Sequence, residues 1–148
     1  MLAGDRIAHP VKPGAPGFDD LLSLSLAEGH DMLRKLVDEW ASATNRFDST
    51  GECYLGASVD GVLLAVGGLN RDNYDGGTGL ARLRHFYVHP DFRREGLGYG
   101  LLNILIFSAR LHFPAIRLRT GNPVAASFYE AQGFDRTDEP FATHRLKL

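Results

Sequence analysis

The chain has 148 residues, 44% of them hydrophobic, and sets 16 Lys and Arg against 18 Asp and Glu for a formal net charge of −2. That length suits a single compact domain over residues 1–148 with a core of its own, and the interspersed, nearly balanced charge excludes a global field that would hold nucleic acid or an anionic membrane. The one cysteine, Cys53, lies in the apolar run CYLGASV; it excludes an intrachain disulfide and a thiolate metal cluster and reads as a buried structural thiol.

The first residues, MLAGDRIAHPVKPG, lack the apolar stretch of a secretory signal, and nowhere does a run of about 18 apolar residues mark a membrane span. A cytoplasmic protein is expected. Residues 5–9 read as a short first strand and PVKPGAPG as the loop after it. Leu21, Leu22, Leu24 and Leu26 suggest one short helix from Phe18; Met32, Leu33, Leu36, Val37 and Trp40 follow helical spacing behind Asp31 as a cap. CYLGASV, Asp60-Gly61 and VLLAVGGL read as a β-hairpin, because Asp-Gly tolerates the positive φ angles of a two-residue turn. The polar stretch NRDNYDGGTG then leads into LARLRHFYV, residues 80–88, a strand closed by Pro90.

The next stretch, VHPDFRREGLGYGLL, combines positive charge with glycines at every second position where a strand passes into a helix. Glycines let backbone approach a ligand closely, and the free N–H groups of a helix start favour an anion. The helix predicted here carries Leu97, Leu101, Leu102, Ile104, Leu105 and Leu111 and stops before Pro114; AIRLRT, residues 115–120, is the following strand. Together they form a βαβ unit whose strands should be parallel with a right-handed crossover. Asn122 as N-cap, Pro123 at the first helical position and Gly133 beyond the end delimit another helix, and FDRTD and FATHRLKL supply two final antiparallel strands.

A P-loop needs Lys and Ser or Thr after its glycines, and a dinucleotide fold needs GxGxxG; this chain has neither. It does carry R-x-x-G-x-G as Arg93, Gly96 and Gly98, within VHPDFRREGLG, and N-x-x-A-x-x-F-Y-x-x-x-G-F as NPVAASFYEAQGF. With both motifs in this order the chain resembles the GNAT superfamily, the acetyl-CoA-dependent N-acetyltransferases. The resemblance covers the second half strongly, while the first 50 residues match only in having two helices after a first strand. It implies an α/β (α+β) fold, a mixed and mostly antiparallel sheet with one central parallel strand pair flanked by helices.

The resemblance also implies roles for residues. Backbone N–H groups of Arg94, Glu95, Gly96, Leu97, Gly98 and Tyr99 would bind the pyrophosphate of coenzyme A, with Arg93 bracing the turn or pairing with a phosphate. Phe86 and Val88 would offer backbone groups to the pantetheine arm, which slots between two splayed strands, and the Val88 N–H would polarise the thioester carbonyl. Asn122 would contact the coenzyme, although an Asn before Pro123 is also what a helix cap requires. Tyr129 would protonate the departing thiolate, or else pack beside Phe128 as a core aromatic.

Many family members place a Glu on the strand corresponding to LARLRHFYV to take the amine's proton. Here that position holds Arg82 and the strand has no carboxylate. By strand alternation Arg82, Arg84 and Phe86 share one face, so a cleft on that face would be basic and suit an amine bearing a carboxylate or phosphate; two solvated arginines are the plain alternative. His85 and His89 lie about 13 Å apart on an extended chain, too far for one ion, and no metal is expected. Glu28, His30, Glu39, Asp72 and Asp75 stand as candidate bases with nothing in the sequence to choose among them.

The expected reaction is acetyl transfer from acetyl-CoA to a small-molecule or peptide amine by direct attack, since no suitably activated Cys or Ser is visible for a covalent intermediate. A homodimer is left open. The rivals are a non-catalytic acyl-CoA-binding or sensing domain, which the missing strand carboxylate favours, and a nucleotide-binding protein of another class, which the absent P-loop Lys disfavours.

Overall fold

Asp60 and Gly61 both take positive φ, 51° and 81°, and turn the chain between two antiparallel strands, as the Asp-Gly pair predicts. The computed structural model describes residues 6–74 and 79–148. In chain order these form β1 (Arg6–Pro10), α1 (Phe18–Ala27), α2 (Met32–Ala41), β2 (Cys53–Val59), β3 (Val62–Arg71), β4 (Ala81–Val88), α3 (Leu97–Arg110), β5 (Ala115–Leu118), α4 (Pro123–Ala131), β6 (Asp135–Arg136) and β7 (His144–Lys147). Asp75 lies outside the described residues. None of the described helices is long and apolar enough to cross a membrane.

The strands make one seven-stranded sheet in the order β1-β2-β3-β4-β5-β7-β6, antiparallel throughout except for β4 and β5. Helices cover both faces. On one, Phe18 and Leu21 of α1 and Leu33 and Leu36 of α2 pack with Tyr54, Val66 and Tyr87. On the other, Leu101, Leu102, Leu105 and Ala109 of α3 and Tyr129 of α4 pack with Leu69, Leu83 and Ile116. Each helix buries one apolar stripe, so the sheet serves two cores.

Two departures from the sequence reading matter for the site. The parallel ladder is confined to Ala81↔Ile116 and Arg82↔Arg117, and β5 ends at Leu118 instead of running to residue 120. Beyond Arg82, then, β4 has no partner on that edge. The second departure is a bulge in β4. Between the pairs Gly68↔Arg84 and Val66↔Tyr87, β3 contributes only Gly67 while β4 contributes His85 and Phe86, and His85 takes φ 54°. An inserted residue reverses the alternation after it. Phe86 consequently sits on the α3/α4 face with Phe128 and Tyr129, while Arg84 reaches Glu39 of α2 on the opposite face. The expectation that Arg82, Arg84 and Phe86 share a face is therefore wrong for Phe86, because it assumed an unbroken pleat.

A smaller correction concerns Asp31. It occupies the N-cap position of α2, but its side chain makes no capping hydrogen bond and instead lies 3.6 Å from the Lys35 ammonium. Asn122 does cap α4, accepting the Val124 N–H at 2.9 Å, with Pro123 behind it and Gly133 at φ 98° beyond the end. Cys53 is half-buried, and burial pushes its thiol up from the ordinary value.

Candidate active site

The unpaired edge of β4 is the first component of the site. The His89 N–H donates to Leu64 O at 2.7 Å on β3, so alternation turns the N–H groups of Phe86 and Val88 to the other edge, where β5 has ended. These donors face a gap between two strands. The gap's α3/α4 wall is aromatic: Phe86 stacks on Phe128 at 6.0 Å between ring centroids, and Tyr129 lies against Phe86, Phe128 and Phe134 at 6.2, 5.3 and 5.7 Å. Tyr129 is 8% exposed, and burial pushes its phenol well above the ordinary value.

The second component is the turn from β4 into α3. Pro90–Phe92 form a single 3-10 turn, with the His89 imidazole accepting the Asp91 N–H. Arg94 and Gly96 then take positive φ, 66° and 83°, and α3 begins at Leu97 with no side-chain cap. The first helical bond runs from the Gly100 N–H to Gly96 O at 3.0 Å, so the N–H groups of Leu97, Gly98 and Tyr99 have no helical acceptor. Gly98 keeps that approach open; a Cβ there would stand 3.2 Å from Val88 and 3.6 Å from Phe128. The Arg6 guanidinium of β1 donates to Glu95 O at 3.1 Å and adds a cation beside the turn.

Arg93 serves as a brace. Its Nε donates to Val88 O at 3.2 Å, and its other nitrogens grip the Glu28 carboxylate at 2.8 and 2.6 Å. The Tyr87 hydroxyl donates to the same carboxylate. The Arg93 hydrogen bonds hold the Glu28 carboxyl down at about 2, against the opposing effect of burial, which makes this candidate a poor proton acceptor near neutral pH.

The third component lies on the α1/α2 face. Asp72 is buried and takes two hydrogen bonds from Arg117, at 2.8 and 3.0 Å, with Arg82 at 3.4 Å. Burial would raise its pKa, but these bonds more than offset that and hold it below the usual carboxylate range. Arg82 itself is 7% exposed, donates to Phe141 O at 2.7 Å and lies over the Tyr74 ring. Both Arg82 and Asp72 are thus committed to joining β4, β5 and the β6–β7 segment. Arg84 and Glu39 are different. They form only a 3.8 Å ion pair, and Glu39 Oε2 is buried with no hydrogen-bond partner among the described residues. With Arg82 they line a polar recess of about 280 Å³. A larger, apolar hollow between the β1–α1 loop, Trp40 and Tyr54 includes no residue of β4 or β5.

His85 is buried at the bulge with neither ring nitrogen hydrogen-bonded among the described residues. Burial first, then the Arg84 charge, push it down to about 3, so it is neutral near pH 7. His30 is half-buried after α1. The described residues contain no cluster of three metal-ligating side chains.

Sequence reasoning missed what holds the bulge. The Tyr54 hydroxyl of β2 reaches across β3 and donates to His85 O at 2.9 Å. Gly67 and Gly68 on β3 make this possible from opposite faces: a Cβ at Gly68 would meet Tyr54 at 2.5 Å, and one at Gly67 would meet the Phe86 ring at 2.5 Å. The available signal was the Gly-Gly pair inside VLLAVGGL.

The fold recurs in known proteins. A family model described as the acetyltransferase (GNAT) family matches residues 18–134. A solved protein of Exiguobacterium sp. 255-15, whose acetyltransferase assignment is itself inferred, superposes with a TM-score of 0.85 at 27% identity, covering 97% of this chain and 93% of its own. An acetyltransferase from Streptococcus agalactiae 2603 follows at 0.75 and 19% identity, covering 97% and 98%. The PaiA N-acetyltransferase of Thermoplasma acidophilum, solved in complex with coenzyme A, shares the fold at 0.64 and 17% identity, covering 97% and 99%.

Proposed function

Because the chain belongs to the GNAT acetyltransferase family, we propose that it moves an acetyl group from acetyl-CoA to a primary amine by direct attack on the thioester. The observation that carries this reading is the free edge of β4 from Phe86 to Val88, running straight into a helix start cleared of side chains by Gly96 and Gly98. An extended pantetheine arm suits that edge, and a pyrophosphate suits the N–H groups of Leu97, Gly98 and Tyr99, with Arg6 beside them. Arg94 and Glu95 lead into this turn, and Arg93 fixes its geometry through Val88 O and Glu28. Asn122, which caps α4 four residues past the end of β5, is the further coenzyme contact in this reading.

Bound acetyl-CoA supplies an activated acyl group whose carbonyl gains negative charge as an amine attacks. The Val88 N–H stabilises that charge from a fixed position, while the Phe86 backbone holds the arm, in a site that α4 aromatics line. The Tyr129 hydroxyl gives a proton to the departing sulfur. Burial raises the phenol, so the tyrosinate left behind is basic enough to take up the proton that the amine nitrogen loses as the amide forms, and the protons balance.

The test follows free thiol release from acetyl-CoA over a panel of amino acids, polyamines and peptide N-termini. Turnover on any of them supports acetyl transfer. Tight acetyl-CoA binding with no turnover supports the second reading, a non-catalytic acyl-CoA sensor, which the commitment of Asp72 and Glu28 to arginines favours.

A further inference from the structure

The face of β4 opposite α3 carries the polar recess of about 280 Å³ where β3 ends and β4 begins. Most of its wall is satisfied. Asn45 and Asn70 exchange amide hydrogen bonds at 2.8 and 2.9 Å, and Glu52 accepts the Asn70 side chain and the Arg71 N–H at 2.9 and 2.8 Å. Arg71 donates to Thr50 O, and Arg82 is held by Asp72 and Phe141 O.

Glu39 and Arg84, which adjoin, have unused hydrogen-bonding capacity. Glu39 Oε2 is buried without a partner among the described residues, and Arg84 comes no closer to this carboxylate than 3.8 Å, beyond hydrogen-bond length. Their side chains are 30% and 26% exposed, so neither is fully solvated. A carboxylate oxygen buried without a hydrogen bond, beside a guanidinium that makes only a long ion pair, is held at a penalty that a ligand of complementary charge removes. The ligand must then present a cation to Glu39 and an anion to Arg84. A planar guanidinium accepts a carboxylate in paired hydrogen bonds, which fixes the anion's orientation as well as its charge. The recess has room for a small zwitterion but not for a folded segment of polypeptide.

We propose that this recess binds a free amino acid or a close analogue, with its ammonium at Glu39 and its carboxylate at Arg84. The inference rests on the acetyltransferase reading, and its test separates the two. Thiol release is measured with alanine, serine, glutamate and lysine, each beside its α-amide, and with a polyamine and a tripeptide. In parallel, calorimetry follows binding of the same compounds to the protein saturated with coenzyme A.

The free amino acids should be used at least tenfold better in kcat/KM than their amides. Arg84→Met should erase that preference by raising the amino-acid KM while acetyl-CoA affinity and the thermal midpoint stay unchanged, and Arg84→Lys should restore part of it. Equal use of amides or a polyamine, or an Arg84→Met enzyme with an unchanged amino-acid KM, overturns the inference while leaving acetyl transfer intact. If no compound turns over, Arg84-dependent calorimetric binding of the free amino acids upholds the recess as an amino-acid site and sinks the enzymatic reading; absence of such binding overturns both.

Discussion

Tyr129 and His85 lie on opposite faces of the sheet, yet burial governs the protonation of both. Tyr129 is enclosed by Phe86, Phe128 and Phe134 with its proton retained, the state a general acid needs. Tyr129→Phe should lower turnover by about 10²-fold or more while calorimetric acetyl-CoA affinity changes little; unchanged turnover would remove Tyr129 from the chemistry. His85, held at about 3 in the fold against an ordinary 6.5, has a different consequence. Between those values the unfolded chain binds a proton that the folded one refuses. Stability is therefore intact above pH 6.5 and falls as pH drops below it, by about 2 kcal/mol at pH 5. Glu28, held at about 2 against an ordinary 4.5, adds its own loss only as pH falls below 4.5. Urea unfolding at pH 7.5 and pH 5 checks this. His85→Asn, which tolerates the positive φ, should lose less stability on acidification, and an identical acid response would exonerate His85. Residue identities were legible in the sequence; their burial was not. Arg82 reads as a candidate substrate contact until Asp72 and Phe141 are seen to hold it.

The strand β4 shows why elements are easier to read than their edges. LARLRHFYV announces a strand through its composition, and Pro90 announces its end. The bulge at His85 gives no such signal, because alternation is invisible once one residue is inserted, and the residues holding it belong to other strands. Tyr54→Phe removes the donor from a buried carbonyl and should destabilise the protein by about 1–3 kcal/mol. It should also lower turnover by more than it lowers affinity for coenzyme A, since the bulge sets the direction of the strand end that carries the Val88 N–H; a variant with lowered thermal midpoint and normal turnover would confine Tyr54 to stability. Gly67→Ala pushes a methyl into the Phe86 ring, with an expected destabilisation of about 1–3 kcal/mol and weaker acetyl-CoA binding in calorimetry. β5 was read two residues too long for a related reason. Arg119 and Thr120 continue its composition, but the splay leaves them outside the ladder.

Across the whole molecule the proposed reaction divides the two faces, with α3 and α4 on the side assigned to the donor, α1 and α2 on the side assigned to the acceptor, and the β4–β5 gap between them. The proposed donor side was legible because its parts are contiguous: residues 86–99 and 122–134 each carry a family motif. On the proposed acceptor side the sequence points to Arg84 and Glu39 singly, and not to their meeting. Glu39, Asn45, Asn70 and Arg84 converge from α2, the segment after it, β3 and β4, and only folding brings them together. The most direct test is a calorimetric titration of the wild type and Gly98→Val with acetyl-CoA and with ATP. Acetyl-CoA should bind the wild type in a single saturable site and ATP should not, and the added side chain at Gly98, facing Val88 and Phe128, should abolish acetyl-CoA binding without unfolding the protein. Binding of ATP without acetyl-CoA, or acetyl-CoA affinity untouched by Gly98→Val, would contradict a coenzyme seated along β4 and against the start of α3.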